Sequence, residues 1–426
     1  RERRRVQLPS GGTHLRYMDV AQFIKPETVS LRSITHPAHL RILEQNYEFN
    51  LISPNKLLDK YVGKQVRLVN VDRKTAFSER EATLLSNHQG PTFEMDGQVD
   101  VGHPGQIVLP ELPKDLISKP SLVWLLDNDG TDHEVEVTYL TKGMRWRADY
   151  VIKLAVDDSH IDLEGWVTLD NNSGAQFTDA QLKVVGGDVN VVTAASGAGG
   201  IQDLYSRDML QVVDVVCTMT EEAFADYHLY SLPRRTTLKQ KESKQVSLLA
   251  STGIDVQKVY EYRGHGEFYS VLMPSQEEES IDVFLKFDNK KENQLGMPLP
   301  AGIMRVYKQD GDGSLQFAGE DEIEHTAKDE EVRLKLGKAF DVIGERIQTD
   351  FRSLSDSVTE TAFEIKLRNH KAEDVEVDIV EAIPGQWEIL ESSIPHQKKD
   401  ACTAIFPVSV PKDGEVRVTY RVLVKW

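Results

Sequence analysis

The segment His133-Glu-Val-Glu-Val-Thr-Tyr139 decides the fold class. Val135, Val137 and Tyr139 fall on one side, and Glu134, Glu136 and Thr138 on the other. That is the two-residue period of a strand with one face in a core, because successive side chains of a strand point to opposite faces. The surrounding stretch 131–190 keeps this character. It holds Trp146, Tyr150 and Trp166 and closes on the turn-rich pieces Asp170-Asn-Asn-Ser-Gly174 and Gly186-Gly-Asp188. It builds sheet and carries no catalytic signature.

Upstream, Arg4-Arg-Val-Gln-Leu8, Thr28-Val-Ser-Leu-Arg-Ser-Ile34 and Leu40-Arg-Ile-Leu43 read as short strands, with a turn at Pro9-Ser-Gly-Gly12. One helix is predicted over 53–61, with Ser53 as N-cap, Pro54 at the first helical position and Gly63 as the stop. Strands resume at 65–71, 82–86 and 105–109, and Pro110, Pro113 and Pro120 mark a boundary. Downstream, Thr193-Ala-Ala-Ser-Gly-Ala-Gly-Gly200 lacks a face to pack and is expected to be a mobile loop. Residues 208–217 fit strand or helix, and Thr220-Glu-Glu-Ala-Phe224 fits the start of a short helix. Strands return at 227–232, 236–238, 244–249 and 256–262. The acidic run Gln276-Glu-Glu-Glu-Ser280 reads as a solvated linker.

The alternation is cleanest toward the end. Phe363, Ile365 and Leu367 alternate with charged neighbours. Val416, Val418, Tyr420, Val422, Val424 and Trp426 form one face of a last strand, with Glu415, Arg417, Arg421 and Lys425 on the other. A one-residue slip would bury those charges, so its register is strongly specified. Closely spaced strands joined by Asp-Gly and Pro-Gly turns predict an all-β chain of tandem antiparallel β-sandwich domains, immunoglobulin-like, with very few short helices. At roughly 150 residues per domain the 426 residues make about three. The expected divisions are 1–120 (with the short helix), 121–275 (with a mobile loop near 193–225) and 276–426.

Formal net charge is −18. Such a balance disfavours nucleic acid, whose binding rests on Lys and Arg releasing counterions. No run approaches the ~20 apolar residues of a membrane-spanning helix. Cys217 and Cys402 are isolated and make neither a zinc site nor a disulfide framework; two separate buried thiols are expected, and a bridge between them stays open. The sequence begins at Arg1 with no leader ahead of it and reads as a trimmed chain. Arg1-Glu-Arg-Arg-Arg5 reads as the solvated beginning of a strand.

Tyr139-Leu-Thr-Lys-Gly-Met-Arg-Trp-Arg-Ala-Asp-Tyr150, Glu164-Gly-Trp-Val-Thr-Leu-Asp-Asn-Asn-Ser-Gly174, Gly186-Gly-Asp-Val-Asn190 and Phe224-Ala-Asp-Tyr-His-Leu-Tyr-Ser-Leu-Pro233 resemble bacterial proteins carrying the domain of unknown function 4139. Some relatives are labelled mucoidy-inhibitor-like. The resemblance covers 43–426 and implies a β-rich envelope protein, often made with a secretory leader, in the periplasm, at the outer surface or outside the cell. It carries over no activity and no catalytic residues. The long coiled-coil insertion of some relatives is missing here.

Candidate chemistry is sparse. Asp127-Asn-Asp-Gly-Thr-Asp132 and Asp310-Gly-Asp-Gly-Ser-Leu315 lack the Gly and Glu positions of the helix-loop-helix calcium pattern and read better as hairpin turns. His36-Pro-Ala-His39 has no further ligand at a suggestive spacing. His265-Gly-Glu267 has deaminase spacing without the cysteine pair. No nucleophile elbow, His-Glu-x-x-His or phosphate loop is present. Paired acids such as Asp321 and Glu322 serve glycoside hydrolysis only if the fold sets them across a sugar; surface carboxylates explain them better. The one candidate interaction constellation is Arg145-Trp146-Arg147: two arginines on one strand face for anionic sugars or a partner's carboxylates, or a core tryptophan flanked by arginines that neutralise acidic neighbours. The expected function is therefore non-catalytic, with no cofactor and no metal: a scaffold, assembly or adhesion protein binding a protein partner or itself. Polysaccharide binding by Trp124, Trp146, Trp166 or Trp387 is the alternative, and it loses its basis if all four are buried. A hydrolase with a dispersed acidic site comes third.

Overall fold

The computed structural model describes residues 1–70, 78–102, 105–113, 116–130, 132–187, 219–273 and 277–426. Strands dominate, in several mostly antiparallel sheets, and the described residues contain one α-helix. The chain is all-β. It divides into two compact units: Arg1–Arg145 with Asp170–Thr178 and Thr237–Ser243, and Trp146–Leu169 with Asp179–Thr236 and Lys244–Trp426.

The first unit holds a small sandwich of two three-stranded sheets. In one sheet Asp132–Thr138 lies between Glu2–Gln7 and Ser30–Ser33; in the other Ser121–Asn128 lies between Gly11–Met18 and Leu40–Glu48. Their facing sides supply one core, with Leu15, Tyr17, Leu31, Leu122, Trp124, Leu126, Val135 and Val137 all buried. The alternation at 133–139 is the cause: Val135 and Val137 are 0% exposed. Burying each such side chain stabilises by roughly 1.5–3 kcal/mol. A further five-stranded sheet packs Val66, Leu68, Ala82, Leu84 and Phe93 with Tyr61 of the helix Pro54–Tyr61. Ser53 caps that helix by accepting a hydrogen bond from Lys56 N at 3.3 Å, and Gly63 follows at φ 79°, as the sequence predicts.

The second unit is built on a nine-stranded sheet in which Gly414–Lys425 pairs with Val358–Asn369 and Thr403–Val410 pairs with Val375–Ala382. These outer strands are far apart in the sheet order, yet Phe406 stacks on Tyr420 at 5.1 Å. The sheet therefore curls over its own core. Register shifts in Glu277–Asp288 and Glu331–Ser355 supply the bends, because a bulge raises local twist. Val418, Tyr420, Val422 and Val424 are buried, in the register the alternation specifies, but Trp426 lies past the strand end and is 51% exposed. A second, five-stranded sheet has Glu242–Asp255 and Leu315–Ile323 at its edges.

Several expectations change. Some pairings are parallel, among them Met144–Leu154 with Gly302–Gln309 and Gln257–Gly264 with Val375–Ala382. Alternation fixes which face a side chain takes and is silent on strand direction. The expected divisions after 120 and after 275 both fall between strands of one unit: Ser121–Asn128 is the middle of the first sandwich, and Glu277–Asp288 pairs with Gln257–Gly264. The prolines lie between Gln106–Val108 and Ser121–Asn128, two consecutive strands of that unit, and the charge run lies within a strand. Within the acidic run, Glu277 to Ser280 pair with 343–346 instead of forming a linker, since the backbone ladder is indifferent to side-chain charge. Thr220–Phe224 is a strand, not a helix start, held by Tyr227–Ser231. Cys402 is exposed rather than buried, beside Asp400 in a turn. The predicted loop at 193–200, residues 208–217, Cys217, Gln276, Thr131 and Asp188 lie outside the described residues.

Candidate functional site

Arg145, Trp146 and Arg147 sit at the start of Met144–Leu154. The arginine side chains are 67% and 50% exposed, and Trp146 is half-buried. Arg145 Nε lies 3.0 Å from Asp170 Oδ2, and Arg147 Nε lies 3.2 Å from Asp149 Oδ2. Arg305 and Thr168 also bond to Asp149. The division between the two units falls between Arg145 and Trp146. Each arginine thus neutralises an acidic neighbour in its own unit.

Of the other tryptophans, Trp124 is fully buried, while Trp166 and Trp387 are half-buried. Trp387 donates to Ala401 O at 2.8 Å and carries Lys398 Nζ 4.4 Å over its ring. Side chains of both strings tie down backbone: Asp310 Oδ1 accepts from the N–H groups of Asp312 and Ser314, and the Asn128 amide donates to Leu8 O, Pro9 O and Gly130 O. His36 stands edge-on to both His39 and His133. His133 has both ring nitrogens engaged, with Ser33 and Asn128, so it is no ligand. Among the described residues no three His, Cys, Asp or Glu side chains converge as a metal site requires.

A cleft of about 620 Å³ in the second unit is lined by His265, Glu267, Phe268, Ser270, Pro384 and Trp426. The turn Gly266–Tyr269 positions it, with His265 edge-on to Phe268 at 5.4 Å. Phe268 also packs against a buried ionic network. Arg346, 1% exposed, has its guanidinium carbon 5.1 Å from the Phe268 ring centre and bonds Glu381 Oε1 at 2.8 Å. Tyr269 OH donates to Glu381 Oε2 at 2.7 Å and lies 3.0 Å from Tyr420 OH. Burial pushes both phenols up. Burial works against the charge on Arg346, but the Glu381 carboxylate outweighs it and keeps the guanidinium protonated. Gly264 makes room: a Cβ there would sit 2.0 Å from Glu381 Oε2. No local sequence signal marks this pair, whose members are 35 positions apart.

The second feature is one side of the first unit's sandwich. Ser30–Ser33 ends one sheet and Leu40–Glu48 ends the other, and neither has a further strand beside it among the described residues. Between them lies a cleft of about 590 Å³, walled by Leu31 to Ile34 on one edge and Leu40 to Ile42 on the other, with Pro37 in the connection. Residues 41–46 of the edge strand are exposed one after another, with Ile42 at 40% and Leu43 at 49%. Leu43 is an extra residue, since the register slips between Leu125 and Leu126.

The outer face beside this cleft is basic. Glu136 lies directly between Arg3 and Arg32 on the flanking strands. It faces outward as its sequence position predicts, yet is 2% exposed, because Arg1, Arg3 and Arg32 close over it. Burial opposes its ionisation, but hydrogen bonds from those three arginines prevail and pull its pKa down to about 2. Three guanidiniums share one carboxylate. Arg41 lines the cleft from the other edge and makes no ion pair among the described residues. The sequence carries a trace of this in the arginines at 1, 3 and 5, which share a strand face. What it does not show is that Arg32 joins them across the sheet. No protein-family model matches this chain, and no curated protein matches it.

Proposed function

We propose that this chain is a non-catalytic binding protein of the cell envelope that holds a macromolecular partner on its sheet surfaces. The envelope placement rests on the resemblance to the domain of unknown function 4139 proteins. The observation that carries the binding role is the open side of the first sandwich, where two edge strands flank a cleft and Ile42 and Leu43 are exposed. Open edges present unpaired backbone groups and are templates for strand addition. A photo-reactive residue replacing Leu43 is expected to cross-link one discrete partner in intact envelope preparations. Ile42→Lys in the same chain should remove the adduct, since an edge lysine blocks pairing. Absence of any discrete adduct rejects the role.

A second reading, glycan binding, is favoured by the half-burial of Trp387 and the exposure of Trp426 beside His265 and Glu267. An aromatic ring with a carboxylate at its side suits a sugar's apolar face and hydroxyls. No arginine or lysine lines that cleft, which points to neutral sugars over uronates. Titration with neutral oligosaccharides should quench tryptophan fluorescence in the native chain and not in Trp426→Ala; equal quenching in both removes this reading.

A further inference from the structure

We propose that the cleft between Ser30–Ser33 and Leu40–Glu48 takes an extended peptide of a partner protein in which acidic and apolar residues alternate. This rests on the surface-binding role above and names the partner chemistry of that same site. Three observations converge. The cleft is flanked by two strands that each end their sheet, so a peptide laid along Leu40–Glu48 has a backbone ladder to join. Its walls are apolar, through Leu31, Ile34, Leu40 and Ile42, and the charged residues that line it are Arg32 and Arg41. Because side chains on a strand alternate, one set of an added peptide's residues meets those apolar walls while the other set meets the guanidiniums.

The charge balance around the cleft gives the sign. Arg32 already shares Glu136 with Arg1 and Arg3, so an approaching carboxylate finds positive charge in excess there. Arg41 lies opposite Asp127 in the ladder and forms no ion pair with it. Glu134 neighbours Arg5 in the same way, and Glu48 is held by Arg16. Two whole chains of net charge −18 repel each other, which favours a short foreign acidic segment over a second copy.

The test uses the full chain and a fluorescein-labelled peptide of about ten residues, long enough to span a typical strand, alternating Glu and Val. Anisotropy should show it binding about ten-fold or more tighter than a Lys-Val peptide and a Glu-Ser peptide of the same length. Arg41→Glu should weaken the Glu-Val peptide by about ten-fold, as a reversed charge at a contact does. Ile42→Lys should abolish it, with circular dichroism confirming that both variants fold. Equal binding of all three peptides, or no binding of the Glu-Val peptide, overturns the proposal. So does light scattering that shows a dimer lost in Ile42→Lys, because the edge is then occupied by a second copy. If the Leu43 cross-link persists while the peptide fails, the partner chemistry falls and the surface-binding role stands; if both fail, both fall.

Discussion

Replacing Glu381 by alanine is expected to destabilise the second unit by about 3–5 kcal/mol, because it strands the charge of a buried arginine. Arg346 is 1% exposed, and its partners besides Glu381 are Tyr420 OH at 3.4 Å and the faces of Tyr262, Phe268 and Phe363. The rings favour a cation but supply no counter-charge. Glu381 also accepts from Tyr269, so its loss unpairs a second buried group. The double variant Arg346→Met with Glu381→Leu should recover much of the loss, since a well-packed apolar pair removes the desolvation penalty from both sides. Urea unfolding of the two variants, followed by circular dichroism, gives the comparison. A Glu381→Ala cost below about 1 kcal/mol, the scale of an exposed pair, would show that the network is solvated.

Replacing Trp124 by alanine should cost a similar amount, about 3–5 kcal/mol, and should act on the first unit. Trp124 is 0% exposed in the central strand of its sheet. Its ring meets Tyr17 edge-on at 6.1 Å, and its indole N–H donates to Gln45 Oε1 at 2.8 Å. The substitution therefore opens a cavity and releases a hydrogen bond to the exposed edge strand. Hydrogen exchange should rise first in Gly11–Met18 and Leu40–Glu48, the two strands paired to Ser121–Asn128. Unchanged protection there would mean that the core around Tyr17 closes over the space. The Glu-Val peptide should bind this variant weakly, because the edge strand it needs is no longer held in place.

Alternation in the sequence was enough for many of the strands and their faces. Val135 and Val137 face the core, the final strand buries Val418 to Val424 in the register its charges require, and the helix Pro54–Tyr61 starts at the Ser53-Pro54 signal. Helix and strand periods are local properties, written within a few residues. The site depended on what is not local. Arg32 reaches Glu136 across 104 positions, and the edges flanking the cleft are open only because of where the other strands pair. The arginines at 1 and 3 were visible as a strand face, but their shared carboxylate was not.

The sequence by itself determined that this is an all-β chain and which side of most strands is oily, because burial must follow a two-residue period along any strand that covers a core. The tertiary structure alone decided strand direction, which strands stand at sheet edges, and which charges are buried. Outward-facing Glu136 became buried under three arginines, and Arg346 found Glu381 inside the core. The physical reason is that a charge's burial is set by its partner's position in space, and pairing between distant strands brings that partner within reach.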